Sequence, residues 1–212
     1  MTLDKEKLDN LEELGIPLEL VNRSGQMIDP DKLHLGGNQP RIMRSSYVPN
    51  TWKYILDNFD IKTVLDLGGG FGFATKWFLD QGVECTLMDG LEYNVVNGVV
   101  PENGFVHDLE HGPVEFKEVD LVICIEVVEH IKKQYLDNLL QSLALGKYVL
   151  MTHAVPGQAG WHHVNCQSSK YWLDHMAKFG YTTIEDHQQN IRETAKQESG
   201  THVQRSGLFL GR

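Results

Sequence analysis

Three groups of side chains in this chain are spaced to do chemistry. The first is the string EVVEH, with Glu126, Glu129 and His130. If the backbone enters a helical turn there, offsets of three and four residues bring the three side chains to one face. Two carboxylates and an imidazole suit Mg²⁺ or Mn²⁺ and leave coordination positions for substrate hydroxyls. Without an ion, His130 can serve as a general base. The second group is His153 followed by WHHVNCQSSKYW, which carries His162 and His163 in a loop with Pro156, Trp161 and Trp172. Histidine titrates near neutral pH, so His153 and His163 join His130 as candidate proton carriers. A loop of this composition reads as a substrate lid. The ordinary reading of each lone histidine is a capping or core-satisfied side chain. The third group is VLDLGGGFGFA, residues 64–74, with Asp89 and Asp108 farther along.

The elements that must position these groups alternate between strand and helix from Thr51 onward. Trp52, Ile55, Leu56 and Phe59 mark a helical stripe, and residues 63–67 a short buried strand. A helix over 73–79 and strands over 83–88 and 104–107 follow. The apolar run DLVICI at 120–125 has the pattern of a strand covered on both faces. Ile131, Tyr135, Leu136, Leu139, Leu140 and Leu143 line one side of a helix that Gly146 is expected to stop. A fifth strand is expected over 148–152. Ser168 or Ser169 can cap the helix YWLDHMAKF, closed by Gly180. Two more strands are expected over 181–185 and 201–210. This alternation predicts an α/β fold built on a Rossmann-like, doubly wound, mostly parallel sheet. Residues 1–50 read differently. Leu3, Leu8, Leu11 and Leu14 fall at helical spacing, Gly15 and Pro17 end that segment, and turn-rich sequence follows. An N-terminal helix and covering extension over 1–50, on a domain spanning 51–212, is the expected organisation.

In such sheets ligands bind beyond the carboxyl ends of the strands, where the first strand turns into its helix. Glycines there let the backbone approach a ligand closely and adopt positive φ. A dinucleotide fingerprint would carry a third glycine where Phe73 stands. The pattern present is Asp66-x-Gly68-x-Gly70-x-Gly72. A carboxylate at the strand end repels a pyrophosphate but suits an ammonium group, which favours S-adenosylmethionine over a dinucleotide. Asp89 ends the second strand, where a carboxylate can accept from ribose hydroxyls. Asp108, with His107, follows the third strand and can meet an adenine amine. Gly69, Gly90 and Ile125 complete the set expected to face this cofactor.

Taken in order, these motifs resemble those of class I S-adenosylmethionine-dependent methyltransferases from about residue 50 onward. VLDLGGGFG is similar to that family's first motif, Asp89 to its ribose-binding acid, HDL to its adenine-side motif and VDLVICIEVVEHI to its fourth-strand motif. The resemblance implies seven strands with the last one antiparallel. EVVEH with a downstream histidine also resembles the metal site of small-RNA 3′-terminal ribose 2′-O-methyltransferases. It implies a divalent ion on Glu126, Glu129, His130 and a fourth ligand, His162 or His163, with His163 the expected one. The same string occurs in ubiquinone-pathway O-methyltransferases and other small-molecule enzymes.

Composition narrows the partners. The chain has 212 residues and a formal net charge of -10, which argues against a long phosphate-binding face. Arg41 and Arg44 of the extension are the only basic residues expected near the site. No apolar run reaches the roughly 18 to 20 residues a membrane span needs. The opening residues lack the basic start and apolar stretch of a signal peptide. Cys85, Cys124 and Cys166 stand far apart and read as reduced thiols of a cytoplasmic protein. The expected function is methylation of a hydroxyl on a small-molecule or sugar-like acceptor. RNA ribose methylation and a non-catalytic cofactor-binding module are the alternatives. Acceptor identity and oligomeric state stay open.

Overall fold

The computed structural model describes residue 11 and residues 15–212, so nearly all of the expected N-terminal helix lies outside the described residues. One sheet organises the chain, with strands β1 (Thr63–Leu67), β2 (Glu84–Asp89), β3 (Gly104–Val106), β4 (Val119–Cys124), β5 (Gly146–Met151), β6 (Thr182–Thr183) and β7 (Leu208–Gly211). Their spatial order is β3-β2-β1-β4-β5-β7-β6. Neighbours run parallel except β7, which is antiparallel to both β5 and β6. The order reverses beside β1, and that switch point is where open α/β sheets form their ligand crevice.

The helices are α1 (Pro49–Asn58), α2 (Phe73–Asp80), α3 (Glu92–Asn97), α4 (Leu136–Leu143), α5 (Ser169–Met176), α6 (Glu185–Gln197) and α7 (Thr201–Ser206). They cover both faces, because alternate residues of a strand point to opposite sides. Leu65, Leu67, Val122, Cys124 and Met151 pack under α4 and α5, against Leu139, Leu143, Trp172 and Met176. Val64, Leu121, Ile123 and Leu150 face the other way, toward Trp52, Ile55, Ile191 and Val203 of α1, α6 and α7. A third cluster joins the extension to the rim of the sheet through Met27, Leu35, Phe71 and Leu91.

Several boundaries differ from expectation. The stripe beginning at Ile131 reaches α4 only after a 3₁₀ turn over Lys133–Tyr135. Gly146 does not stop that helix but opens β5, at a point where a Cβ would press on Val122. The tail segment expected as a single strand over 201–210 is divided between α7 and β7. The expected strand over 181–185 shrinks to two residues, and neither α3 nor α6 was anticipated. Ser168 does cap α5, accepting from the Tyr171 amide, and Gly180 ends the following turn at φ 85°. The cysteines are free thiols, and Cys85 and Cys124 are buried.

Candidate active site

A cavity of about 400 Å³ opens at the carboxyl ends of β1, β2 and β4. Asp66, Gly68, Gly69, Gly70, Asp89 and Gly90 border it, and so do His107, Asp108 and Ile125. The turn after β1 needs its glycines: φ is +74° at Gly68 and +59° at Gly70. A Cβ on Gly68 would collide with Val127, and one on Gly69 with Asp66 and Leu87. Asp66 accepts from Thr75 Oγ1 at 2.8 Å. Burial pushes its carboxyl up to about 7, against the hydrogen bonds from Thr75. Asp89 accepts from the Gly70 amide at 2.8 Å, the Leu91 amide at 2.9 Å and Asn94 Nδ2 at 3.0 Å. A carboxylate offers about four acceptor directions, so roughly one is left for a ligand hydroxyl.

The cavity is also bordered by Glu126 and His130 of EVVEH and by Trp161 and His163 of WHHVN. Glu129, His130 and His163 offer ligand atoms that all lie within 4.8 Å of one another. The rings of His130 and His163 meet edge to face at 5.2 Å. Both carboxylate oxygens of Glu129 and the Nδ1 of His130 are buried without a hydrogen-bond partner among the described residues. Such orphaned groups are rare, because each loses its hydration with nothing in return. Burial and the neighbouring Glu126 push the Glu129 carboxyl up to about 8, while burial and the two histidines bring His130 down to about 4.

The other residues expected here are placed differently. Glu126 turns its carboxylate away from this trio, accepting from Thr152 Oγ1 at 2.9 Å and meeting His202 Nδ1 at 2.7 Å. His162 lies outside the trio, near Lys132, His34 and Glu110. His153 is fully buried with its Nε2 2.9 Å from Ser169 Oγ, and it does not border the cavity. The fifth strand delivers His153 into the core side of the loop, which the linear spacing could not reveal.

Residues 65–151 match the methyltransferase-domain family. That stretch, from β1 to the end of β5, is similar to a methyltransferase domain. The ubiquinone biosynthesis O-methyltransferase of Rickettsia canadensis is 33% identical over 88 residues, which are 38% of this chain and 37% of that protein. Its counterpart in Rickettsia prowazekii is 28% identical over 109 residues, 48% of this chain and 43% of that protein. The chain therefore matches less than half the length of these curated relatives. The methyltransferase domain of bacterial CtHen1 superposes with a TM-score of 0.51 at 19% identity, covering 64% of this chain and 85% of that one. Among the described residues no helix is long and apolar enough to cross a membrane.

The extension supplies part of the cavity wall. His34 Nε2 lies 2.9 Å from Asp108 Oδ1, and Lys32 Nζ 3.3 Å from Oδ2. Burial alone would raise the Asp108 carboxyl. The Glu110 amide, His34 and Lys32 outweigh it and hold the group below its usual range. The oxygen expected to meet an adenine amine thus already has a partner. Asn38 and Asn94 exchange side-chain hydrogen bonds at 3.3 and 3.1 Å, and Trp161 Nε1 donates to the Leu33 carbonyl at 3.1 Å. His34, Asn38 and His202 are further residues of the cavity wall. Nothing in their local pattern marks them, since their partners lie 56 to 76 residues away.

Proposed function

We propose that this chain transfers a methyl group from S-adenosylmethionine to a hydroxyl of a small-molecule acceptor. The carrying observation is one cavity with two chemically distinct walls. Asp66, the glycine turn and Asp89 form the first, and His130 and His163 the second, with a carboxylate oxygen of the buried Glu129 within 4.8 Å of their ring nitrogens. The names of the curated relatives, both O-methyltransferases, support the same reading. Residues 51–212 form the catalytic body in this reading, with 1–50 as its cover.

The donor fits the first wall on charge grounds. Asp66 is a buried carboxylate at the cavity edge, and a cationic amine would favour its ionised form. Asp89 keeps one acceptor direction for a sugar hydroxyl. His107 and Ile125 border the adenine side, and Asp108 acts there through His34. Methyl transfer from a sulfonium has a good leaving group, so the chain's main task is to hold the acceptor oxygen at attack distance and in line.

Glu129, His130 and His163 would hold a divalent ion, magnesium or manganese, with positions open to acceptor hydroxyls. The unpartnered oxygens of Glu129 fit a cation. A bound ion would lower the pKa of a coordinated hydroxyl. Two measurements test these readings. Turnover with labelled S-adenosylmethionine and a panel of hydroxyl acceptors should yield methyl ethers; no product from any acceptor would leave a cofactor-binding module in its place. Mn²⁺ should raise the Tm of the wild type but not of Glu129→Gln, and equal responses would remove the metal.

A further inference from the structure

We propose that His202 is the base that accepts the proton of the acceptor hydroxyl, held in its working tautomer by Glu126. The inference deepens the hydroxyl-methylation reading and rests on it. His202 sits on α7, between α6 and β7, and its ring borders the same cavity as Asp66 and His130. Its Nδ1 lies 2.7 Å from Glu126 Oε2, and both side chains are mostly covered, at 23% and 18% exposure. Arg205 Nη2 is 3.2 Å from the same nitrogen and 3.8 Å from Glu126 Oε2. Of the two contacts at Nδ1 the carboxylate's is the shorter, so the proton is assigned to Nδ1, which donates to Glu126 and leaves the lone pair on Nε2; Arg205, able only to donate, then pairs with Glu126 by charge and makes no hydrogen bond to that nitrogen. No described residue engages that Nε2. An imidazole oriented by a buried carboxylate, with its far nitrogen unpartnered at a cavity wall, is the arrangement of an activated base.

The surroundings hold this pair with unusual insistence. Glu126 has φ +57°, a left-handed conformation that costs a non-glycine residue on the order of 1 kcal/mol or more. Its own amide donates to Thr152 Oγ1 at 2.7 Å, and that hydroxyl donates to Oε1 at 2.9 Å. The backbone twist and the Thr152 contacts together aim Oε2 at His202 instead of at the Glu129 trio. On the other side, the His202 amide donates to the Ser45 carbonyl at 3.2 Å. Gly200 packs so tightly on Val48 that a Cβ would not fit. The start of α7 is thereby anchored to the extension and to the entry of α1.

The step balances simply. As a lone pair of the hydroxyl oxygen forms the bond to the methyl carbon, the carbon–sulfur bond breaks and its electron pair stays on sulfur, giving S-adenosylhomocysteine. The hydroxyl proton passes to His202 Nε2. The resulting imidazolium is balanced by the Glu126 carboxylate, and solvent recovers the proton at the part-exposed ring after product leaves.

The test uses the full chain with His202→Ala, His202→Gln and Glu126→Gln. S-adenosylhomocysteine affinity, measured by calorimetry, should stay within about threefold in the His202 variants while kcat falls roughly 10² to 10⁴-fold. Added imidazole should restore part of the His202→Ala activity, and the loss should shrink as the acceptor hydroxyl becomes more acidic. Independently of turnover, ¹⁵N-histidine spectra of the wild type should show His202 as the Nδ1–H tautomer, with its Nδ1 proton shifted in Glu126→Gln. A wild type that methylates no hydroxyl overturns this proposal together with the reading beneath it. A wild type that does, with His202→Ala within threefold of it or with the proton found on Nε2, overturns the proposal alone. Should His202→Ala misfold, His202→Gln carries the same comparison.

Discussion

Asp66 shows how one residue couples charge to ligand binding. Burial holds its carboxyl at about 7, so in the free protein it keeps a proton that an exposed aspartate would have lost. The unfolded chain releases that proton nearer pH 4, so the native state binds more protons in between. Stability should therefore fall as pH rises from about 4 to about 7, and Asp66→Asn should flatten that slope. A cationic donor that ionises Asp66 should expel on the order of half a proton at pH 7. Calorimetry in two buffers of different ionisation enthalpy reads this directly, and equal heats would contradict it. His153 makes the opposite case. Its ring is buried against Ser169, outside the cavity. His153→Ala should cost about 1–3 kcal/mol in urea denaturation, by leaving a buried hydroxyl unpaired, with kcat unchanged. Both residues stood out in the sequence for their type. Only their surroundings separate a cavity-edge carboxylate from a core-satisfied imidazole.

At the scale of elements, strands and the first glycine turn were the legible parts. The run TVLDL reads as buried because nearly every residue of β1 is covered, and four glycines within five positions require a special turn. Gly68→Ala should lose at least about 2 kcal/mol, since a positive φ is costly for alanine and the methyl would meet Val127. Because Val127 adjoins Glu126, donor affinity and the Glu126–His202 contact should weaken together, measured by calorimetry and histidine NMR. The helix α6 was missed for a physical reason. Of its thirteen residues only Ile191 and Ala195 are buried, too few for a periodic signal, although most of its residues favour helix. The segment 201–206 was read as strand because its local pattern is weak. Burial of Val203 and the His202 amide bond to Ser45 make it helical.

Across the whole molecule, the extension and the loop after β5 meet above the cavity. Trp161 Nε1 on the Leu33 carbonyl is a cross-link between them, and Gly37 lies against both Trp161 and His130. Losing one such hydrogen bond is worth about 0.5–1.5 kcal/mol. Trp161→Ala should then speed donor release roughly two- to tenfold, with Tm nearly unchanged. Stopped-flow displacement of S-adenosylhomocysteine measures the rate. An unchanged rate would mean that the closure does not gate the cavity.

Strand hydrophobicity, the helical stripes and the glycine turn are properties of neighbouring residues. They were enough to define the doubly wound sheet, the rim where the cavity opens and the acids that border it. Covered strands and right-handed crossovers leave few other arrangements. Tertiary structure alone decided which side chains became partners. It paired Glu126 with His202 across 76 residues, gathered Glu129 with His130 and His163, buried His153, and tied Asp108 to His34. Periodicity records which face a residue takes, whereas the choice of partner depends on how distant elements dock, and no local pattern carries that distance.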